Sequence, residues 1–261
     1  MNFNIKTRNF ASQHEYRDRL FEKIANREDN RPDFHVGDKA IPTVGPGIEV
    51  IVQIKVRNKP THFAPRKHKQ IDDYLSAAYG QTFKLSNAGW RRFNNAADKL
   101  NLLNKKGISD AVRKQAVKAA MTGHGIRDLP PGGGRLMFNV AVKEAEEGIN
   151  NDIRQATRDV GINPDTAVAA FTNSRERQAL VSLRYNNIQS PKAPAALLQG
   201  NRAKAYLEIA YRSNGSKEAG FVARRMAEAR DVLDDPETWA PDQKRQWNEV
   251  YLRNRVEIEK Y

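Results

Sequence analysis

Cysteine is absent from the chain. Disulfides, thiolate metal sites and a cysteine nucleophile are therefore excluded. No apolar run approaches the roughly 18 residues that a membrane span needs. The opening stretch, MNFNIKTRNFASQHEYRDRLF, lacks the apolar core of a secretory signal. A protein of this kind that acts outside its own cytoplasm needs another route there. The five histidines (His14, His35, His62, His68 and His124) show no ligand spacing with nearby acids, so neither a metal nor a cofactor is expected. Pro130 to Gly134, PPGGG, lacks the Lys-Ser/Thr ending of a phosphate loop and reads as a hinge. Acid is in short supply: 31 Asp and Glu stand against 44 Lys and Arg.

What is present is a chain of 261 residues, 39% of them hydrophobic and carrying a net charge of +13. That supplies a core for one large domain or for two lobes around a cleft. The charge favours a polyanionic partner through long-range steering. Nucleic acid, an anionic membrane surface and an anionic cell-wall polymer all qualify, and charge alone puts nucleic acid first.

Apolar spacing at Tyr16, Leu20, Phe21 and Ile24 predicts a helix from Gln13, which Pro32 keeps from continuing. Glu28 falls near its end, where the helix dipole disfavours a carboxylate. Ile48 to Arg57, IEVIVQIKVR, alternates with period two and predicts one strand, paired with residues 40–44. Residues 58–70 form a basic loop. Helices are expected over Ile71–Tyr79, Asn87–Leu103 and Ser109–Met121, the last capped by Ser109. Gly123 to Arg135 is the expected linker. Beyond it, helices are read at 136–148, 150–160, 164–171, 193–200, 202–211 and 217–233, with another capped by Ser174 and running through Tyr185. In the last, 241–259, Trp247, Tyr251 and Val256 mark an inner face. The class is α+β, predominantly helical. Residues 1–125 form a strand-bearing lobe and 126–261 a helical lobe.

Cleaving a glycosidic bond takes a carboxylic acid on one side of the sugar and a base, nucleophile or held water on the other. Glu28 is the candidate acid; Asp38 and Thr43 are candidates for the opposite side. Short motifs of this kind have low specificity, and a Glu at a helix end or an Asp in a turn is commonly a solvated surface residue.

The order Phe21-Glu22, then Glu28, then Thr43-Val44-Gly45-Pro46-Gly47 resembles the N-terminal signature of phage-type lysozymes, glycoside hydrolases of bacterial peptidoglycan. The family's aspartate position falls nearest Gly37, so Asp38 matches with a one-residue shift. Ser174 to Asn187 resembles the family's central buried helix, which implies that Tyr185 and Asn186 face substrate. Gly220 to Leu233 resembles its arginine-bearing helix and implies the same for Arg224. Pesticin-like bacteriocins and lysozyme domains of secretion-system effectors look most similar. The resemblance implies a lysozyme-like two-lobe fold with a small β-sheet near the N-terminus. It also implies a muramidase cleaving the β-1,4 bond between N-acetylmuramic acid and N-acetylglucosamine. A monomeric antibacterial toxin follows, acting in the periplasm or wall of a target cell after delivery or lysis, with a cognate immunity protein. Two other readings stand beside it: a basic, non-enzymatic nucleic-acid-binding protein, and a catalytically silent wall-binding lysozyme fold.

Overall fold

The computed structural model describes residues 7–25, 31–37, 40–54, 61–105, 107–158, 160–185, 192–213, 225–230, 233–234 and 236–259. It is 65% helical and 10% strand, with a small antiparallel sheet near the N-terminus, which fits the α+β class. The chain divides into two compact units, residues 21–141 and residues 1–20 with 142–261.

All the described strands lie in the unit 21–141. After α1 (Gln13–Ala25) come β1 (Arg31–Val36), β2 (Pro42–Gly45), β3 (Ile48–Glu49), β4 (Ile51–Ile54) and β5 (His62–Pro65). β1, β2 and β3 form one antiparallel sheet in that order, and β4 and β5 a second. The strand expected over 48–57 therefore changes partner midway. Val50 donates its N–H to Pro42 O (2.9 Å) and accepts from Arg66 N–H at its own carbonyl (2.9 Å). The bend there places Val50 and Ile51 both in the core, so the period-two pattern slips and Ile54 ends up 41% exposed. Residues 55–57 lie outside the described residues.

Three helices complete this unit: α2 (His68–Tyr79), α3 (Asn87–Leu103) and α4 (Asp110–Met121). Ile71, Tyr74, Leu75 and Ala78 give α2 a buried stripe of helical spacing. Trp90, Phe93, Ala96, Ala97 and Leu100 do the same for α3. Ser86 and Ser109 cap α3 and α4 by accepting from Gly89 N–H (3.1 Å) and Val112 N–H (3.4 Å). The free edge of β5 is covered by one side chain of α3. Asn101 accepts Phe63 N–H (2.7 Å) and returns a hydrogen bond to Phe63 O (2.9 Å), as a neighbouring strand would.

The glycine-rich stretch 123–135 belongs to this unit and does not divide the chain. Ile126 and Leu129 are buried, and Leu129 N–H donates to Pro32 O (2.7 Å). A Cβ on Gly133 would lie 2.8 Å from Ala78 O, so that glycine serves close helix packing rather than hinge motion. One helix, α5 (Gly133–Thr157), replaces the two expected over 136–160, and the division between units falls inside it at 141/142.

The other unit is helical. Besides parts of α1 and α5 it holds α6 (Pro164–Ala170), α7 (Arg175–Tyr185), α8 (Lys192–Leu198), α9 (Arg202–Leu207), α10 (225–230), α11 (Pro241–Arg253) and α12 (Arg255–Ile258). A π-turn over Glu208–Arg212 extends α9. Residues 176–183 of α7 are all buried, charges included. Ser174 caps α7 by accepting from Arg177 N–H (3.0 Å). Glu176 in its first turn bonds Arg202 (2.5 Å) and accepts Arg8 N–H (3.1 Å). Arg177 donates to Asn150 Oδ1 (2.8 Å), and Arg17 to Glu146 (2.6 Å). Burial and the Glu146 carboxylate push the Tyr16 phenol far above its ordinary range. Ser182 donates to Glu228, which also pairs with Arg225. Tyr206, Trp239 and Trp247 pack edge to face near the C-terminus. Val256 is 89% exposed and does not join the inner face expected for it, because Asn254 breaks the helix between α11 and α12.

Candidate active site

Register across the three-stranded sheet builds the site. His35 of β1 stands opposite Thr43 of β2, and Thr43 stands opposite Glu49 of β3. Directly opposed residues share a face, so these three side chains form one polar row. All three are half-buried. Phe34, Val36, Pro42, Val44 and Ile48 alternate onto the other face.

The motif around Thr43 has a local physical reason. Gly47 N–H donates to Gly45 O (2.8 Å), closing a tight turn centred on Pro46, whose ring fixes φ in the range such a turn needs. Gly45 sits at φ +57, and a Cβ there would lie 3.0 Å from Leu129 Cδ1 and 3.2 Å from Met137 sulfur. Thr-x-Gly-x-Gly is thus a strand followed by a hairpin turn. The Thr43 hydroxyl donates to Ile41 O (3.1 Å), which leaves its oxygen lone pairs to accept from water or substrate. At the β1–β2 connection, Gly37 N–H donates to Ile41 O (3.0 Å) and Ala40 N–H to Gly37 O (3.0 Å).

Of the residues expected to act, Thr43 lies on β2 and Tyr185 is the half-buried last residue of α7. Glu28, Asp38, Asn186 and Arg224 lie outside the described residues. In sequence, Glu28 follows the last residue of α1 by three positions and precedes β1 by three, and Asp38 follows β1 by two. Sequence reasoning passed over His35 and listed Glu49 only as a substitute acid. The signal for both was the polar phase of the alternating pattern on either side of Thr43.

Next to the row, a cavity of about 380 Å³ runs between β1 and α4. Arg31 holds Asp33 by two hydrogen bonds (2.9 and 2.7 Å) and keeps that carboxyl below its usual range. His124 lies against Phe34, ring centres 4.0 Å apart, and burial lowers its pKa from the ordinary 6.5. Its Nδ1 accepts from Ile126 N–H (3.0 Å), so the neutral ring carries its proton on Nε2. Among the described residues, no group of three or more His, Asp or Glu side chains could hold a metal ion, and no helix is long and apolar enough to cross a membrane.

Comparison of the chain with protein-family models, curated proteins and solved structures finds no match.

Proposed function

We propose that the protein is a peptidoglycan hydrolase of the lysozyme type, a muramidase acting on the β-1,4 bond between N-acetylmuramic acid and N-acetylglucosamine. One observation carries the reading: the order of parts around Thr43. A helix ends just ahead of Glu28, β1 follows, Asp38 falls in the β1–β2 connection, and Thr43 sits on β2 before a Gly-Pro-Gly turn. That is the order in which the lysozyme signature places its acid, its second carboxylate and its hydroxyl. The separation of a strand-bearing unit from a helical one, and the all-round burial of α7, support the same reading.

In this mechanism Glu28 protonates the leaving oxygen. Asp38 and Thr43 hold the attacking water or steady the cationic transition state. With its own proton committed to Ile41 O, the Thr43 oxygen accepts from that water and turns a lone pair toward the sugar. Tyr185, Asn186 and Arg224 bind the glycan. The reading extends to an antibacterial toxin or effector domain that meets an immunity protein.

Clearing of purified cell-wall sacculi tests the reading. Thr43→Val should slow clearing by about tenfold or more, the scale of one lost hydrogen bond to a reacting group. Clearing should also weaken as salt rises, because the charge of +13 steers encounter with an anionic wall. The same charge favours nucleic-acid binding as a second reading. A gel shift at moderate salt by a protein that clears no sacculi would favour it.

A further inference from the structure

We propose that the trough between β1 and α4 binds the carboxylate-bearing peptide stem of the wall polymer. The identity of the peptide rests on the hydrolase reading; the chemistry of the trough does not.

Residues of both faces of β1 line the cavity, Asp33 and His35 from one and Phe34 and Val36 from the other. It therefore runs along the free edge of the strand, since β1 pairs with β2 on its other side. Gly37 directs its N–H toward Ile41, on the β2 side. By alternation, His35 shares that direction, and the backbone groups of Phe34 and Val36 turn to the open edge. The opposite wall is one face of α4, where Lys114, Lys118 and Met121 recur at helical spacing. An edge strand facing a helix is the geometry in which extended peptides dock by main-chain pairing. The volume, about 380 Å³, suits a few residues of chain.

Charge selects the occupant. Asp33 is the one acidic residue among those lining the trough, and Arg31 neutralises it. Lys114 and Lys118 then leave a positive wall, and His124 adds a neutral N–H donor at Nε2. A ligand with carboxylates spaced along an extended backbone matches these features together. The stem peptide has that form: short, and bearing free carboxylates at its D-glutamate and its end. The trough is also continuous with the candidate site, because His35 lines the one and stands beside Thr43 in the other.

Isothermal titration of the full chain with the free stem tetrapeptide tests this. The acidic stem should bind, and the same stem with its carboxylates amidated should bind at least about tenfold more weakly, the scale of a lost charge-assisted hydrogen bond. Lys118→Glu should weaken the acidic stem by a similar factor without altering the circular dichroism, since Lys118 is exposed. Four results would overturn the proposal. These are no binding at millimolar peptide, equal binding of the amidated stem, unchanged binding by Lys118→Glu, and displacement by inorganic phosphate or oligoglutamate at equal concentration. Stem binding by a protein that releases no sugar product would keep the trough and remove the hydrolase reading. Product release without stem binding would do the reverse.

Discussion

Replacing Glu176 with alanine should be among the most damaging single changes to the helical unit. Its side chain is 1% exposed and sits in the first turn of α7, where the helix dipole favours a carboxylate. One oxygen bonds Arg202 at 2.5 Å, a guanidinium itself 11% exposed, and the other accepts Arg8 N–H at 3.1 Å. Alanine removes both bonds and leaves the Arg202 charge facing an apolar helix. Breaking one side of a buried pair costs about 3–5 kcal/mol. A chain of this length loses about 2–4 °C of melting temperature per kcal/mol, so the expected fall is about 6–20 °C. Thermal melts followed by far-ultraviolet circular dichroism measure it; if the two units melt in separate steps, the step of the helical unit should move. Glu176→Gln should fall between, since it keeps an acceptor for Arg8 N–H and loses only the charge. The pair Glu176→Leu with Arg202→Met should recover much of the loss, because no unpaired charge remains. A melting temperature within about 2 °C of the parent for Glu176→Ala would refute the reasoning, for that is less than even one typical hydrogen bond is worth.

Three more predictions concern the strand-bearing unit. Gly45→Ala puts a Cβ at φ +57 and against Leu129, so it should lower urea stability by about 1–2 kcal/mol from backbone strain, with the contact adding to that; an unchanged midpoint would count against the turn geometry. Asn101→Ala strips the cover from β5 and should cost about 1–3 kcal/mol and raise light scattering on heating. His124 is held below its ordinary 6.5 by burial, so its neutral form stabilises the fold above that pH, and the contribution is lost as pH falls through the lowered value. The urea midpoint should thus drop more steeply between about pH 7 and about pH 5 in the parent than in His124→Gln, and parallel slopes would contradict it.

Much of the helical architecture was legible from apolar spacing and caps. Asn87–Leu103 and the Ser109 and Ser174 caps emerge as read, because stripes and capping hydroxyls act locally. Where reading failed, a distant partner decided the outcome. Nothing in IEVIVQIKVR tells that Val50 passes from β2 to β5, since that depends on Pro42 and Arg66. Gly148 looked like a helix break but lies inside α5, where a Cβ would come 2.8 Å from Arg184 Nε. The burial of Glu176 and Arg177 was hidden for the same reason, because their counter-charges come from residues far away in sequence. In the candidate site, Thr43 and its turn were legible as a motif. The row it shares with His35 and Glu49 needed the strand register, which a single strand does not reveal.

Digestion of purified peptidoglycan, parent beside Glu28→Gln, with the products read by mass spectrometry, tests the central claim most directly. The account predicts muropeptides with new reducing ends from the parent and none from Glu28→Gln, with both proteins giving the same circular dichroism. Equal release by both would remove Glu28 as the acid. No release by the parent, under conditions where a control lysozyme works, would contradict the assignment itself.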